Sequence, residues 1–365
     1  MDMLSGNELK SLMQKQIGIC VSIYMPTVRK GAETQQNQIR YKNLLRDAEG
    51  QLSSSELRPS EIKDMLAPAQ ELSGNTPFWR NQRDGFALFL SPGSFNYYRM
   101  PQSFKELIVV TDRFHIKPLM PALASDAEFY ILAISQKNVR LLKCSLQHAE
   151  EMDLEGVPEN LAEALNLDDF EKRIQRHTGT EDIKANILQY FQQVDKGLRE
   201  LLRDKKAPLI FAGVDYLFPI YKEANTYPHL ADRGISGNPE GSNADMLLDS
   251  ARPVVETLLD AKRADALSQY RQNAGTGLTS GDVREIVRAA CHGRVGILFV
   301  SVGVQQWGTF DSVTDEVTLN KDANSTNEDL LDLAAIQTIT NGGTVYAMDH
   351  GEMPDDSSLA AIFRY

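Results

Sequence analysis

The side chains best suited to move a proton near neutral pH are six histidines, at 115, 148, 177, 229, 292 and 350. No two of them stand three to five residues apart, so the spacing that brings two imidazoles to one zinc ion is missing. Cys20, Cys144 and Cys291 lie far apart among apolar neighbours and read as buried, reduced thiols. The glycines of Gly275-Thr-Gly-Leu-Thr-Ser-Gly281 are spaced roughly as in a dinucleotide loop. They follow a helical stretch rather than a strand, however, and are spaced one residue too wide. Neither a Walker loop nor a Gly-x-Ser-x-Gly elbow occurs. No metal, cofactor or catalytic residue is assigned on these grounds.

Two polar clusters remain. In the first, Lys172, Arg173, Arg176 and His177 precede Thr178-Gly179 in a polar stretch ahead of a helix. Cations on a loop suit contacts to RNA phosphates, whereas an ordinary solvated loop would use them to offset Asp168, Asp169 and Glu171. His177 is the residue there able to act as a general acid or base, which keeps an RNA- or ester-cleaving enzyme open as an alternative. The second cluster, Asp215, Tyr221, Asn225, Tyr227 and His229, with Thr226 among them, follows an apolar strand. Polar and aromatic groups beyond the C-terminal end of a strand often line a site, although packing at a helix start also explains them.

These clusters need elements to position them. The apolar run 19–26 reads as a strand, with helical stretches over about 33–52 and 60–72 after it. Gly85-Phe-Ala-Leu-Phe-Leu90, 95–100 and Leu107–Thr111 read as further strands, and Pro118 and Pro121 close a first segment. In the second segment, 129–135 and Val139–Cys144 form a hairpin-like pair across Gln136-Lys137-Asn138. Ile183, Ile187, Phe191, Val194, Leu198 and Leu201 recur at three- and four-residue steps, which predicts an amphipathic helix running into the strand 208–212. The Gly-, Ser- and Asn-rich stretch 234–242 reads as a linker. The third segment opens on a long helix over about 243–273, kinked or restarted at Pro253. A helix capped by Ser280, a strand over 295–302, a helix opened by the capping box Thr326-Asn-Glu-Asp329 and a strand at Thr344–Met348 follow. Strands alternating with helices predict an α/β (α+β mixed) protein of three compact domains, over 1–124, 125–241 and 242–365.

A chain of 365 residues with 42% apolar and 24% charged residues is of ordinary globular make-up, which excludes collagen-like, rod-like and disordered classes. No apolar run approaches the roughly 18 residues of a membrane span, and the first residues lack a secretory pattern, so a cytoplasmic protein is expected. The net charge of −12 is uneven: Lys and Arg number 15 against 12 Asp and Glu over 1–124, 14 against 20 over 125–240, and 9 against 18 over 241–365. Such a balance disfavours indiscriminate nucleic-acid binding while allowing a local basic patch.

In this order, the motifs resemble the archaeo-eukaryotic peptide release factor and Pelota superfamily, and most resemble its bacterial branch, bacterial archaeo-eukaryotic release factor family three. The resemblance spans essentially the whole chain. It rests on 86–90, Asp112-Arg-Phe-His-Ile-Lys-Pro-Leu119, the stretch from Ala212 to His229, and Gln305-Gln-Trp-Gly308. It implies a ribonuclease-H-like middle domain and a C-terminal domain like kink-turn-binding ribosomal proteins. The implied partners are ribosomal and transfer RNA, with a translational GTPase meeting the acidic C-terminal domain. Release factors carry Gly-Gly-Gln in the loop before the long middle-domain helix, where glycine lets the backbone approach the tRNA end and glutamine helps position water. Here the loop 173–182 reads Arg173-Ile-Gln-Arg-His-Thr-Gly-Thr-Glu-Asp182. The chain's one Gly-Gly pair, Gly342-Gly343, reads as a helix cap, and the stop-codon signature Asn-Ile-Lys-Ser is absent. The resemblance therefore implies ribosome binding in rescue or hibernation, without peptidyl-tRNA hydrolysis. A protein-interaction adaptor working through the acidic C-terminal domain is the other alternative.

Overall fold

The computed structural model describes residues 4, 6–14, 18–31, 33–125, 128–165, 180–321 and 327–365. Contacts group the chain into two compact units, Met1–Leu123 with Asp265–Tyr365, and Ala124–Ala264. Among the described residues no helix is long and apolar enough to cross a membrane.

The first unit begins with β1 (Cys20–Pro26), α1 (Thr34–Ser53), α2 (Pro59–Gly74), β2 (Gly85–Ser91), β3 (Ser94–Met100) and β4 (Leu107–Thr111). The strands form an antiparallel sheet in the order β3-β2-β1-β4. β2 is buried at every position and β1 at all but the last, as expected of near-continuous apolar runs covered on both faces. Because side chains alternate, Val21, Ile23 and Met25 face α1 and α2, packing with Tyr41, Leu45 and Trp79. Cys20 and Tyr24 belong to the opposite face. Glycine is required where β2 starts, since a Cβ on Gly85 would collide with the Gln102 carbonyl and the Phe104 ring.

The second unit is built on β5 (Phe129–Ile134), β6 (Val139–Cys144), β7 (Ala149–Met152), α3 (Thr180–Leu201), β8 (Leu209–Gly213), α4 (Leu217–Ala224) and β9 (Ile235–Ser236). The sheet order is β7-β6-β5-β8-β9, with β5, β6 and β7 an antiparallel meander and β8 and β9 parallel to β5. That is the ribonuclease-H-like order expected of this region. Ile187, Phe191, Val194 and Leu198 of α3 cover one face of the sheet, as their spacing predicted. α5 (Ala244–Gln272) covers the other with Leu247, Leu248, Ala251 and Val255.

The chain closes with β10 (Thr279–Ser280), α6 (Val283–Cys291), β11 (Val295–Ser301), β12 (Trp307–Asp311), β13 (Glu316–Leu319), β14 (Glu328–Asp329), α7 (Leu330–Thr340), β15 (Thr344–Met348) and β16 (Leu359–Phe363). These give a sheet ordered β10-β16-β11-β15 and a small one ordered β13-β12-β14. In the Gln-Trp-Gly stretch, a Cβ on Gly308 would meet the Thr318 carbonyl and the Leu330 side chain, so only glycine fits.

Several boundaries differ from those expected. The first and third segments, read as separate domains, form one unit, because Tyr24, Ala87 and Phe89 share a core with Ile286, Leu298 and Leu331. The break expected near 242 falls instead at 264/265, inside α5, whose first turns pack on the middle sheet. Pro253 lies within α5 without ending it. The supposed linker holds the edge strand β9, tied to Gly213 by the Gly237 N–H. α6 is capped by Asp282, which accepts from the N–H groups of Arg284 and Glu285, rather than by Ser280. α7 is capped by Asp329, and Thr326 lies outside the described residues.

A buried polar network joins the two halves of the first unit. Lys117 is fully buried, with its Nζ 2.5 Å from Asp329 Oδ2, and it donates a second bond to the Val304 carbonyl. Asp332 Oδ1 accepts from the N–H groups of Ile116 (3.0 Å) and Lys117 (2.5 Å). Asp329 Oδ1 accepts from those of Gln306 (3.0 Å) and Leu331 (3.1 Å). His115 Nδ1 lies 3.7 Å from Asp332 Oδ2 and 3.9 Å from Asp329 Oδ2. Its backbone is held by the Ser22 and Tyr24 hydroxyls of β1. Burial pushes the His115 imidazole down to about 4, with Lys117 adding to the shift and Asp329 opposing it. Burial, reinforced by the charge of Asp329, pushes the Asp332 carboxyl up to about 8, against Lys117 and the two backbone N–H donors. Charges buried this deeply persist only when paired and hydrogen-bonded, which ties residues 115–117 to the start of α7.

Candidate functional site

Lys172, Arg173, Arg176, His177, Thr178 and Gly179 lie outside the described residues. The second cluster is fully described. α4 doubles back from the end of β8, carrying Tyr221, Thr226 and Tyr227 to the beginning of that strand beside Leu209. Asp215 stays exposed just past the strand's other end, so it does not join them. The groups therefore gather at the N-terminal end of β8 rather than beyond its C-terminal end, because the helix reverses the chain within two turns.

Asp195 of α3 anchors the arrangement. It is buried, its Oδ1 accepting the Thr226 N–H at 2.8 Å and its Oδ2 the Thr226 hydroxyl at 2.7 Å. Arg199, one helical turn on, reaches Oδ2 at 3.4 Å. Asn225 closes a local turn, accepting the Tyr227 N–H at 3.3 Å and donating to the Tyr227 carbonyl at 2.8 Å. The Tyr227 hydroxyl donates to the Ala207 carbonyl at 2.6 Å, pinning the segment before β8. His229 is exposed, its ring edge-on to Tyr227 at 5.5 Å and its carbonyl accepting the Leu209 N–H.

Between these groups is a cavity of about 180 Å³. Leu198, Leu202 and Leu209 form its apolar wall, and Arg199, Arg203 and Lys205 stand around it. Tyr221 is fully buried against Phe211 and Phe191, with ring centroids at 5.3 and 5.6 Å. Its hydroxyl has no hydrogen-bond partner among the described residues. Burial, and then the charge of Asp195, push its ionisation up, so it remains a phenol and a donor at neutral pH. Burial and then Glu128 do the same for Tyr227. Sequence alone does not single out Asp195, Arg199, Arg203 and Lys205. The available signal was a carboxylate beside the apolar stripe of α3, followed by a basic run at its end. Among the described residues no three His, Cys, Asp or Glu side chains are arranged to hold a metal ion.

Residues 128–294, which include this site, match the model of bacterial archaeo-eukaryotic release factor family 3. No curated protein matches the chain. Among solved structures the chain is similar to a ribosome-bound archaeal Pelota, described together with ABCE1, at 13% identity, covering 100% of this chain and 95% of that one with a TM-score of 0.44. It is similar to the archaeal translation termination factor aRF1 at 17% identity, 100% and 99% coverage and a TM-score of 0.27. For Archaeoglobus fulgidus Pelota the values are 16%, 77% and 79%, and 0.34.

Proposed function

We propose that this protein binds the ribosome as a release-factor-like protein of rescue or hibernation and leaves peptidyl-tRNA unhydrolysed. One observation carries the reading: the stretch 128–294 that matches the family 3 model includes residues 172–179, whose sequence holds Lys172, Arg173, Arg176, His177 and a single glycine in place of Gly-Gly-Gln. Without the paired glycines the backbone approaches a tRNA end less closely, and without the following glutamine no side chain of that motif orients water. The one Gly-Gly pair serves another purpose. Gly342, with φ of 74°, ends α7, and Gly343 packs against Thr338 and the Val295 carbonyl, where a Cβ would not fit. Lys172, Arg173 and Arg176 serve as contacts to phosphates of ribosomal or transfer RNA. The C-terminal stretch 241–365, with 9 basic against 18 acidic residues, offers a surface for a translational GTPase.

The test is ribosome affinity as a function of salt. Removing one phosphate contact flattens the log–log slope by about one unit, so Arg173→Ala/Arg176→Ala lowers the slope by about two and weakens binding at low salt. An affinity and slope equal to wild type would overturn the phosphate contacts.

A further inference from the structure

We propose that the cavity between α3 and the 225–228 segment is a binding site for a nucleoside phosphate, with the base inside and the phosphate at the cationic rim. This goes beyond ribosome association and stands on geometry alone. Three cations, Arg199, Arg203 and Lys205, line the cavity together with one carboxylate, Asp195. That carboxylate is already engaged by Thr226 and Arg199. Arg203 and Lys205 are exposed and make no salt bridge among the described residues, Lys205 acting on Glu128 only at longer range. The surplus of two positive charges matches a phosphate monoester, which carries about −1.5 to −2 at pH 7, better than it matches a carboxylate.

The interior selects the other half of the ligand. Leu198, Leu202 and Leu209 present an apolar wall of the kind that takes a flat ring. The Tyr221 hydroxyl is completely buried at this wall and lacks a partner among the described residues. A buried donor left unpaired is costly, and a ring bearing an acceptor relieves that cost. A nucleobase carries such acceptors on its ring nitrogens and carbonyls. The phenyl ring of a phosphotyrosine has none, which sets that ligand aside. The nucleoside phosphate can be a free nucleotide or the phosphorylated end of an RNA, and the two share this chemistry.

Calorimetric titration of the full chain distinguishes them. The probes are AMP, UMP, adenosine, uridine, inorganic phosphate, phosphotyrosine, and one RNA oligomer with and without a 5′-phosphate. A monophosphate is expected to bind saturably and at least about tenfold more tightly than its nucleoside or inorganic phosphate. Arg203→Ala/Lys205→Ala removes that advantage, and Tyr221→Phe weakens binding about fivefold while melting like wild type. If the 5′-phosphorylated oligomer binds more tightly than the mononucleotide, the source is an RNA end; if it binds less tightly, the ligand is a free nucleotide. Absence of saturable binding by any probe, phosphotyrosine binding as tightly as AMP, or affinities unmoved by both variants would overturn the proposal. Ribosome pelleting by Arg203→Ala/Lys205→Ala keeps the two readings separate, because pelleting that persists without nucleotide binding leaves the proposed function standing.

Discussion

Replacing Lys117 by methionine is expected to lower the unfolding free energy of the first unit by about 3–5 kcal/mol, the usual cost of removing one member of a buried ion pair. The substitution keeps the length of the side chain but strips Asp329 Oδ2 and the Val304 carbonyl of their shared donor. Asp329 then remains a buried carboxylate, held by two backbone N–H groups alone. Both tryptophans, Trp79 and Trp307, lie in the first unit, so their fluorescence during urea unfolding follows that unit selectively. Adding Asp329→Asn removes the orphaned charge and keeps an acceptor for the cap of α7, so the double variant regains most of the loss. A Lys117→Met protein within about 1 kcal/mol of wild type would mean that the network does not join the two halves.

The same network makes stability depend on pH in a specific window. His115, lowered to about 4 from an ordinary 6.5, is neutral in the folded chain and takes a proton on unfolding below pH 6.5. Its contribution is complete above 6.5 and is lost as pH falls through 4. Asp332, raised to about 8 from 3.8, holds a proton in the folded chain that the unfolded chain releases. Its contribution is complete below 3.8 and is lost as pH rises through 8. Between about 4 and 6.5 the folded state carries its proton on Asp332 and the unfolded state on His115, so the two effects largely cancel. From pH 6.5 to 8 Asp332 is the one of the two that still acts, and its contribution makes stability fall as pH rises. Asp332→Asn retains the acceptor for the Ile116 and Lys117 N–H groups, and it should flatten this descent. Wild-type stability that rises between pH 6.5 and 8 would contradict the assignment.

Periodicity disclosed most of the local structure. The apolar runs of β1, β2, β5 and β8 and the stripe of α3 announce themselves because burial imposes a period of about 2 or 3.6 on the chain. What covers a strand's second face leaves no local trace. Cys20 and Tyr24 look like any buried strand residues, and nothing near them in sequence points to Leu331. Asp332 reads as a surface charge in the first turn of a helix, since a buried carboxylate and an exposed one share the same letter. For the same reason Asp195 is inconspicuous in the sequence of α3, whereas the nearby tyrosines stand out. Adjacency placed Asp215 with Tyr221 and Tyr227, but the reversal at α4 separates them. Elements no longer than one period, such as β9 and β14, carry too few residues for any pattern.

Stalled ribosomes carrying labelled peptidyl-tRNA test whether the protein binds the ribosome without cleaving the ester. The protein is pelleted with these complexes, and the fraction of label still attached to tRNA is measured against a ribosome-only control. Stoichiometric co-sedimentation that weakens with salt is expected, with the peptidyl ester as intact as in the control. Release of peptide above the control, or failure of the protein to sediment with ribosomes at low salt, would contradict it.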